Sequence, residues 1–242
     1  MANYEFIGKG VFFPEGGVLA IGDLHLGYEH MMKQLGVNLP ETQTKEIIQD
    51  LKKIFSEIEN KGHKVKKIIF LGDIKHYFGY ERGERTHFDE VLQFLKGHFE
   101  EKDIILIKGN HDAVQYSGKK MRDYYIDGNT AFLHGHKSFV EIYDTKIKVI
   151  VIGHLHPAII ISDKKGVKKE KFKCFLAGKM EGKELIVLPS FFDIVGGMNI
   201  NDYKEVYHDF VSIVPKKTLI NSEVFVIGEN ETYNFGKVKD LD

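Results

Sequence analysis

A chain of 242 residues, 43% of them hydrophobic and with a formal net charge of -1 at pH 7, can bury a substantial core and is too apolar and too evenly charged for disorder. That charge balance provides no general attraction to nucleic acid, and the single cysteine, Cys174, excludes intrachain disulfides and thiolate zinc clusters and suits the cytoplasm. No apolar run reaches the roughly 18 to 20 residues of a membrane span and no signal-peptide-like N-terminus is visible, so one soluble domain over residues 1 to 242 is expected.

In chain order, Val18-Leu19-Ala20-Ile21 is a short apolar run that stops at Gly22-Asp23, as a buried strand does when it delivers polar residues to a sheet edge. From Pro40 onward, Ile47, Ile48, Leu51, Ile54, Phe55 and Ile58 fall at helical spacing and predict an amphipathic helix. A second strand, Lys67 to Leu71, runs into Gly72-Asp73, and a second helix is expected from Arg85 to Phe99. Ile104 to Ile107 then leads into Gly109-Asn110-His111-Asp112, and Val149 to Ile152 into Gly153-His154. After His134 the pattern becomes β-rich, with short strands at Ala158 to Ile161, Phe172 to Ala177 and Leu185 to Leu188. Residues 164–171 read as a solvated hairpin tip, and Phe191-Phe192 as either a rim loop or a core strand running into a turn. A final hairpin is expected in 201–242, with Val224 to Ile227 as its clearest strand. Strands alternating with helices predict an α/β class with its polar site at the strand carboxyl ends.

The residues delivered to those ends suit phosphate-ester hydrolysis. That reaction needs a nucleophile, neutralisation of phosphoryl charge and a proton for the leaving oxygen, and two metals about 3.5 to 4 Å apart meet the first two needs. Asp23-Leu24-His25 would put two ligands on one side of an extended strand end, and His154-Leu155-His156 repeats the device. Asp73 is the choice for a bridging carboxylate, Asn110 adds a neutral oxygen, and His134 adds an imidazole from another loop. No single piece is specific. What carries weight is five such pieces in order, each after an apolar run and most with a glycine beside the ligand.

That order, Asp-x-His, Gly-Asp, Gly-Asn-His-Asp, His and Gly-His-x-His from Asp23 to His156, resembles the calcineurin-like metallophosphoesterase family. Within it the chain looks like the compact archaeal and bacterial branch, some members of which are encoded beside a DNA ligase or helicase. The resemblance implies a two-sheet β-sandwich flanked by helices. It implies that Asp23, His25, Asp73 and His156 hold one metal and that Asp73, Asn110, His134 and His154 hold the other. His111 would stay free of metal and hydrogen-bond the phosphate or protonate the leaving oxygen after a metal-bound hydroxide attacks, with Asp112 either orienting it or capping its loop. The donor set accepts manganese, iron, cobalt, nickel or zinc, with manganese the first choice.

The chain departs from the family where Gly-Asp-x-x-Asp is common: here it reads Gly72-Asp73-Ile74-Lys75-His76. His76 therefore stands where a carboxylate often steadies the catalytic histidine, and is read as a supporting, substrate-facing or structural residue. His136, in His134-Gly135-His136, has the same three readings. His30, His63, His87, His98 and His208 lack a partner at ligand spacing and are read as surface or helix-face residues. Tyr77, Phe78, Tyr80, Arg82 and Arg85 read either as a surface turn and a helix start or, with Phe191 and Phe192, as the mouth of the site, where they would stack on a base and contact phosphate. On that basis a phosphodiester of a nucleotide or nucleic acid is favoured. The rival readings are a phosphomonoesterase and, because the fold also resembles retromer-type subunits, a non-catalytic protein-binding scaffold.

Overall fold

The computed structural model describes residues 3–75, 82–112, 120–162, 168–194, 196–202, 212–229 and 231–241. The chain opens with strands β1 (Glu5–Ile7), β2 (Gly10–Phe13) and β3 (Val18–Ile21). Helices α1 (Tyr28–Gln34) and α2 (Gln43–Asn60) lead to β4 (Lys67–Phe70), and α3 (Arg82–Lys96) leads to β5 (Ile104–Leu106). These five strands form one sheet in sequence order, antiparallel from β1 to β3 and parallel from β3 to β5.

The second half builds the other sheet. Its strands are β6 (Tyr124–Asp127), β7 (Thr130–Leu133), β8 (Val149–Ile152), β9 (Pro157–Ser162), β10 (Lys169–Met180), β11 (Lys183–Val187) and β12 (Met198–Asn199). Helix α4 (Lys216–Asn221) precedes the hairpin of β13 (Glu223–Ile227) and β14 (Thr232–Lys237). Among the described residues the order is β12-β9-β10-β11-β8-β7-β6, with β13 beside β10 and β14 beside β13. Strands β7, β8 and β11 run parallel to one another.

The apolar runs are continuous because both faces of each central strand are covered. Along β3, β4 and β5, Leu19, Ile21, Ile68, Phe70, Ile104 and Leu106 face the core beneath α2 and α3. Their alternates Val18, Ala20, Ile69 and Ile105 face the opposite sheet. The second sheet repeats this, sending Phe132, Val149, Val151, Phe175 and Ile186 to the shared core and Leu133, Ile150, Ile152, Leu176 and Val187 outward. Three apolar layers thus hold a two-sheet sandwich flanked by helices. Helix α2 presents Ile47, Leu51, Ile54, Phe55 and Ile58 as its buried stripe, the spacing expected of an amphipathic helix.

The expected strand and helix positions hold to within a few residues, but the structure adds elements that lack a sequence signal of their own. Helix α1 and the antiparallel pair β1 and β2 are too short to show a period. Residues 164–167 of the expected hairpin tip lie outside the described residues, while Lys169, Glu170 and Lys171 are not turn residues: they belong to β10, paired with Ser162, Ile161 and Ile160 of β9. Among the described residues no helix is long and apolar enough to cross a membrane.

Candidate metal centre

The carboxyl ends of β3, β4, β5, β7 and β8 meet at one pole of the sandwich, and each delivers its motif there. Asp23, His25 and His156 form one group whose ligand atoms all lie within 4.8 Å of one another, and Asp73, His134 and His154 form a second. Nε2 of His25 stands 3.2 Å from Nε2 of His156, which is 3.3 Å from Oδ2 of Asp23. In the second group Nε2 of His134 is 2.9 Å from Oδ1 of Asn110 and 3.4 Å from Oδ2 of Asp73. His154 and His156, two residues apart, therefore serve different groups.

The device that separates them is not the one expected. Side-chain alternation along an extended strand would point each Asp-x-His or His-x-His pair one way. Instead His25 has φ 48°, Asp73 φ 42°, His154 φ 66° and His156 φ 43°, all in the left-handed region that side chains with a Cβ seldom occupy. Among the described residues only Glu181 otherwise shares this feature outside glycine. Backbone strain of this kind collects where the surrounding structure holds a functional geometry.

Two glycines show why the motifs carry one beside the ligand. A Cβ on Gly109 would lie 2.0 Å from Oδ1 of Asp73, and one on Gly153 would lie 2.5 Å from Oδ2 of Asp23. The carboxylates press directly on bare backbone. In return, the amide of His111 donates to Oδ1 of Asp73 at 2.9 Å and that of His154 to Oδ2 of Asp23 at 3.0 Å.

Electrostatics and donor orientation fit a cation at both groups. The ring Nδ1 of His134 donates to the Leu71 carbonyl at 2.8 Å, which turns Nε2 toward Asp73 and Asn110. Nδ1 also lies 3.2 Å from Oδ1 of Asp23, but its proton is spent on Leu71, and among the described residues the buried Oδ1 has no hydrogen-bond donor. An orphaned carboxylate oxygen among imidazoles is the surrounding a divalent ion would satisfy. Burial alone would raise the Asp23 carboxyl, yet the imidazoles of His156 and His134 hold it well below the usual carboxylate range. Asp73 is likewise lowered against the effect of burial, by the hydrogen bond and charge of His134. Burial works against a charged His134, but Asp23 and Asp73 raise it to about 9.

His111 stands on the open side, with its side chain 23% exposed, its Nε2 4.0 Å from Oδ2 of Asp73 and its ring edge-on to His25. Asp112 is buried, and its carboxylate accepts from the amides of Ile74 and Gly109 at 3.1 and 2.9 Å, tying the second motif loop to the third. Burial, then the charge of Asp73, push its carboxyl up to about 6. His136 lies beside the second group, its ring 5.1 Å from His134 and 6.0 Å from His154, with a buried Nδ1 that has no partner. Burial lowers its pKa. His76, Tyr77, Phe78, Tyr80 and His208 lie outside the described residues, as do the side chains of Arg82 and Arg85. Phe191 and Phe192 are 0% and 1% exposed, so they are core residues and not a stacking platform. Phe191 joins the core beneath α2 and α3, and Phe192 lies edge-on to Tyr28. His63 and His98 pack against phenylalanine rings, and His87 meets Thr44 between α2 and α3.

Sequence reasoning missed Gln43. Buried at the start of α2, it donates to the carbonyls of Leu24 and His25 at 3.2 and 2.8 Å and accepts from the amide of Gly27 at 3.1 Å. Three main-chain groups of the first motif loop are thus held by one side chain. Glu29 repeats the theme, its carboxylate accepting from the amides of Thr42 and Gln43, both at 3.0 Å. A lone glutamine just inside a helix carries no sequence signal of such a role.

The family model for the calcineurin-like phosphoesterases matches residues 17–145. That span ends before Gly153-His154-x-His156, which the fold brings into the same site. No curated protein matches the chain. Among solved structures, the nuclease MPE of Pseudomonas putida superposes with a TM-score of 0.61 at 18% identity, covering 96% of this chain and 100% of that one. Vps29 of Cryptosporidium parvum matches with a TM-score of 0.39 at 13% identity, covering 96% and 100%.

Two outcomes are expected of this geometry. Because His134 carries a proton below about pH 9 in the metal-free pocket, metal uptake at pH 7.5 will release about one proton from it, and affinity will fall as pH falls. Titration calorimetry in buffers of different ionisation enthalpy measures this, and buffer-independent heat would refute it. Second, His154→Gly will unfold at higher urea than His154→Ala in chelator, by about 1 kcal/mol, because glycine accepts the left-handed backbone. Equal midpoints would show that the backbone there is unstrained.

Proposed function

The chain belongs to the calcineurin-like phosphoesterase family, and from that premise we propose that it is a dinuclear metal-dependent hydrolase of phosphodiesters in a nucleotide or nucleic acid. The observation that carries the proposal is the pair of donor groups converging at one pole, with His111 on their open side. Asp23, His25 and His156 would hold one ion and Asn110, His134 and His154 the other, with Asp73 shared between them. Both sheets contribute ligands, so residues 1 to 242 act as one catalytic unit.

Two divalent ions, when bound, supply charge neutralisation for the phosphoryl oxygens and a water that is nucleophilic at neutral pH. The protein's own part is placement. Gly109 and Gly153 let the backbone close on Asp73 and Asp23, Gln43 holds the first loop, and Asp112 locks the second loop to the third. We assign Asp112 to that positioning task. The imidazole of His111 donates its proton to the leaving oxygen, a role that needs a proton donor reachable by substrate, and its side chain is partly exposed. An imidazole and carboxylate donor set suits manganese, our first choice, along with iron, cobalt, nickel or zinc. We place the protein in the cytoplasm.

The diester preference agrees with the activity named for the Pseudomonas putida protein of the same fold. A scaffold role would leave the donor positions free to erode, and all seven candidate ligands are present. The test is hydrolysis of bis-p-nitrophenyl phosphate, p-nitrophenyl phosphate and single-stranded DNA by manganese-loaded protein. Diesters should be cleaved faster than the monoester, and His111→Ala should lower kcat about 10²- to 10⁴-fold while still taking up two ions. Parent-level turnover by that variant would remove His111 from the chemistry, and inactivity of the loaded parent on all three substrates would sink the enzyme assignment.

A further inference from the structure

Lysine ammoniums hold main-chain carbonyls at several places in the described structure, Lys183 at Asp144 and Ile147 among them, and one of them, Lys173, lies at the turn after β11. Lys173 is on β10, opposite Ala158 of β9, and its ammonium donates to the carbonyl and the hydroxyl of Ser190, both at 2.8 Å, and to the carbonyl of Phe192. Three N–H donors meet three oxygen acceptors, the count a charged lysine offers. Ser190 and Phe192 are each 1% exposed, and the Ser190 hydroxyl also reaches the Phe192 carbonyl at 3.4 Å, so the ammonium joins a polar cluster within a buried turn. Burial, and then the like charge of Lys9, push the amine down to about 7. A methionine would occupy the place without that desolvation cost. The cation must therefore do something that apolar packing would not.

The turn it holds is the one that seats Asp23. Leu188, just past β11, donates its amide to Ile152 at 2.8 Å, within the second sheet. Three residues later Phe191 donates its amide to the carbonyl of Asp23 at 2.8 Å, and its ring joins the core beneath α2 and α3. Between them the Pro189 carbonyl lies so close to Gly22 that a Cβ there would come within 2.2 Å of it. The Pro189 to Phe192 turn thus crosses from one sheet to the other and presses on both sides of the Gly22-Asp23 peptide. Asp73 is held by other contacts, the amides of His111 and His25 and the close backbone of Gly109, and not by this turn.

We propose that Lys173 is a positioning residue for the metal subsite of Asp23, His25 and His156, acting through the Pro189 to Phe192 turn, an inference that rests on Asp23 being a metal ligand. Removing the cation frees the turn and lets the Asp23 main chain shift, which weakens one ion and spares the other.

Manganese binding by the full chain tests this, read by calorimetry and by the electron paramagnetic resonance signal of coupled against isolated ions. Lys173→Met should keep one ion at parent affinity, weaken the other at least tenfold and lose most of the coupled signal. Lys173→Arg, which restores a cation, should recover the second ion to within about threefold. In a His25→Ala background, where the same subsite is already lost, Lys173→Met should change nothing further. Parent affinity for both ions in Lys173→Met overturns the proposal, as does an equal loss at both ions that follows a fall in Tm. If Lys173→Met does not fold, Ser190→Ala removes the hydroxyl acceptor alone. It should weaken the same ion a few-fold, and parent affinity there overturns the proposal too. A parent chain that takes up no manganese sinks the functional assignment and this inference together, whereas two ions bound at parent affinity by Lys173→Met sink only this inference.

Discussion

Two carboxylates, Asp23 and Asp73, are buried within reach of one histidine, His134, and much of the surrounding architecture answers the resulting electrostatic problem. Like charges in a low-dielectric interior repel unless they are paired. Here the pairing comes from imidazoles and from amides that two different sheets contribute. The amide of His154, from the second sheet, reaches Oδ2 of Asp23 from the first. The carboxylates therefore hold the sandwich together at the pole where they are most costly to bury.

That arrangement explains why local geometry near the site is so expensive. Left-handed backbone at His25, Asp73, His154 and His156 persists only because ladders beyond the strand ends enforce it. His25 donates its amide to the Asp73 carbonyl at 3.0 Å and Leu26 to Ile74 at 2.9 Å, which extends the β3–β4 pairing into the ligand loops. Gln43 and Asp112 close the remaining main-chain groups. The fold is thus most ordered by polar contacts where its apolar layers end, and strain there is balanced by burial in three continuous cores.

The chemistry follows from the same division. Side chains deep in the pocket, such as Asp23, Asp73 and His134, are fixed on several sides. His111 and Asn110 reach the open side, where a substrate has access. A rigid donor set with a reachable imidazole separates holding charge from moving a proton. Lys173 meets the edge of the site, donating to Ser190 and Phe192 of the turn after β11.

Sequence alone determined the strands that carry the motifs, because a strand covered on both faces must be apolar throughout and must change character where it leaves the core. Ile21 to Asp23, Leu71 to Asp73 and Ile152 to His154 each show that change. It also displayed the donor residues, since metal chemistry restricts ligands to a few residue types, and glycine beside them reflects the close approach of carboxylate to backbone. The family resemblance already divided the donors between two ions, but only the tertiary structure shows the means, because His154 and His156 part company through left-handed torsions that no two-residue period encodes. Tertiary structure also decided that Phe191 and Phe192 are core and not rim, that Asp112 clamps amides, and that Gln43 and Lys173 support the ligand loops. Those roles depend on which main-chain groups lie opposite a side chain, and that opposition exists only once the two sheets have packed.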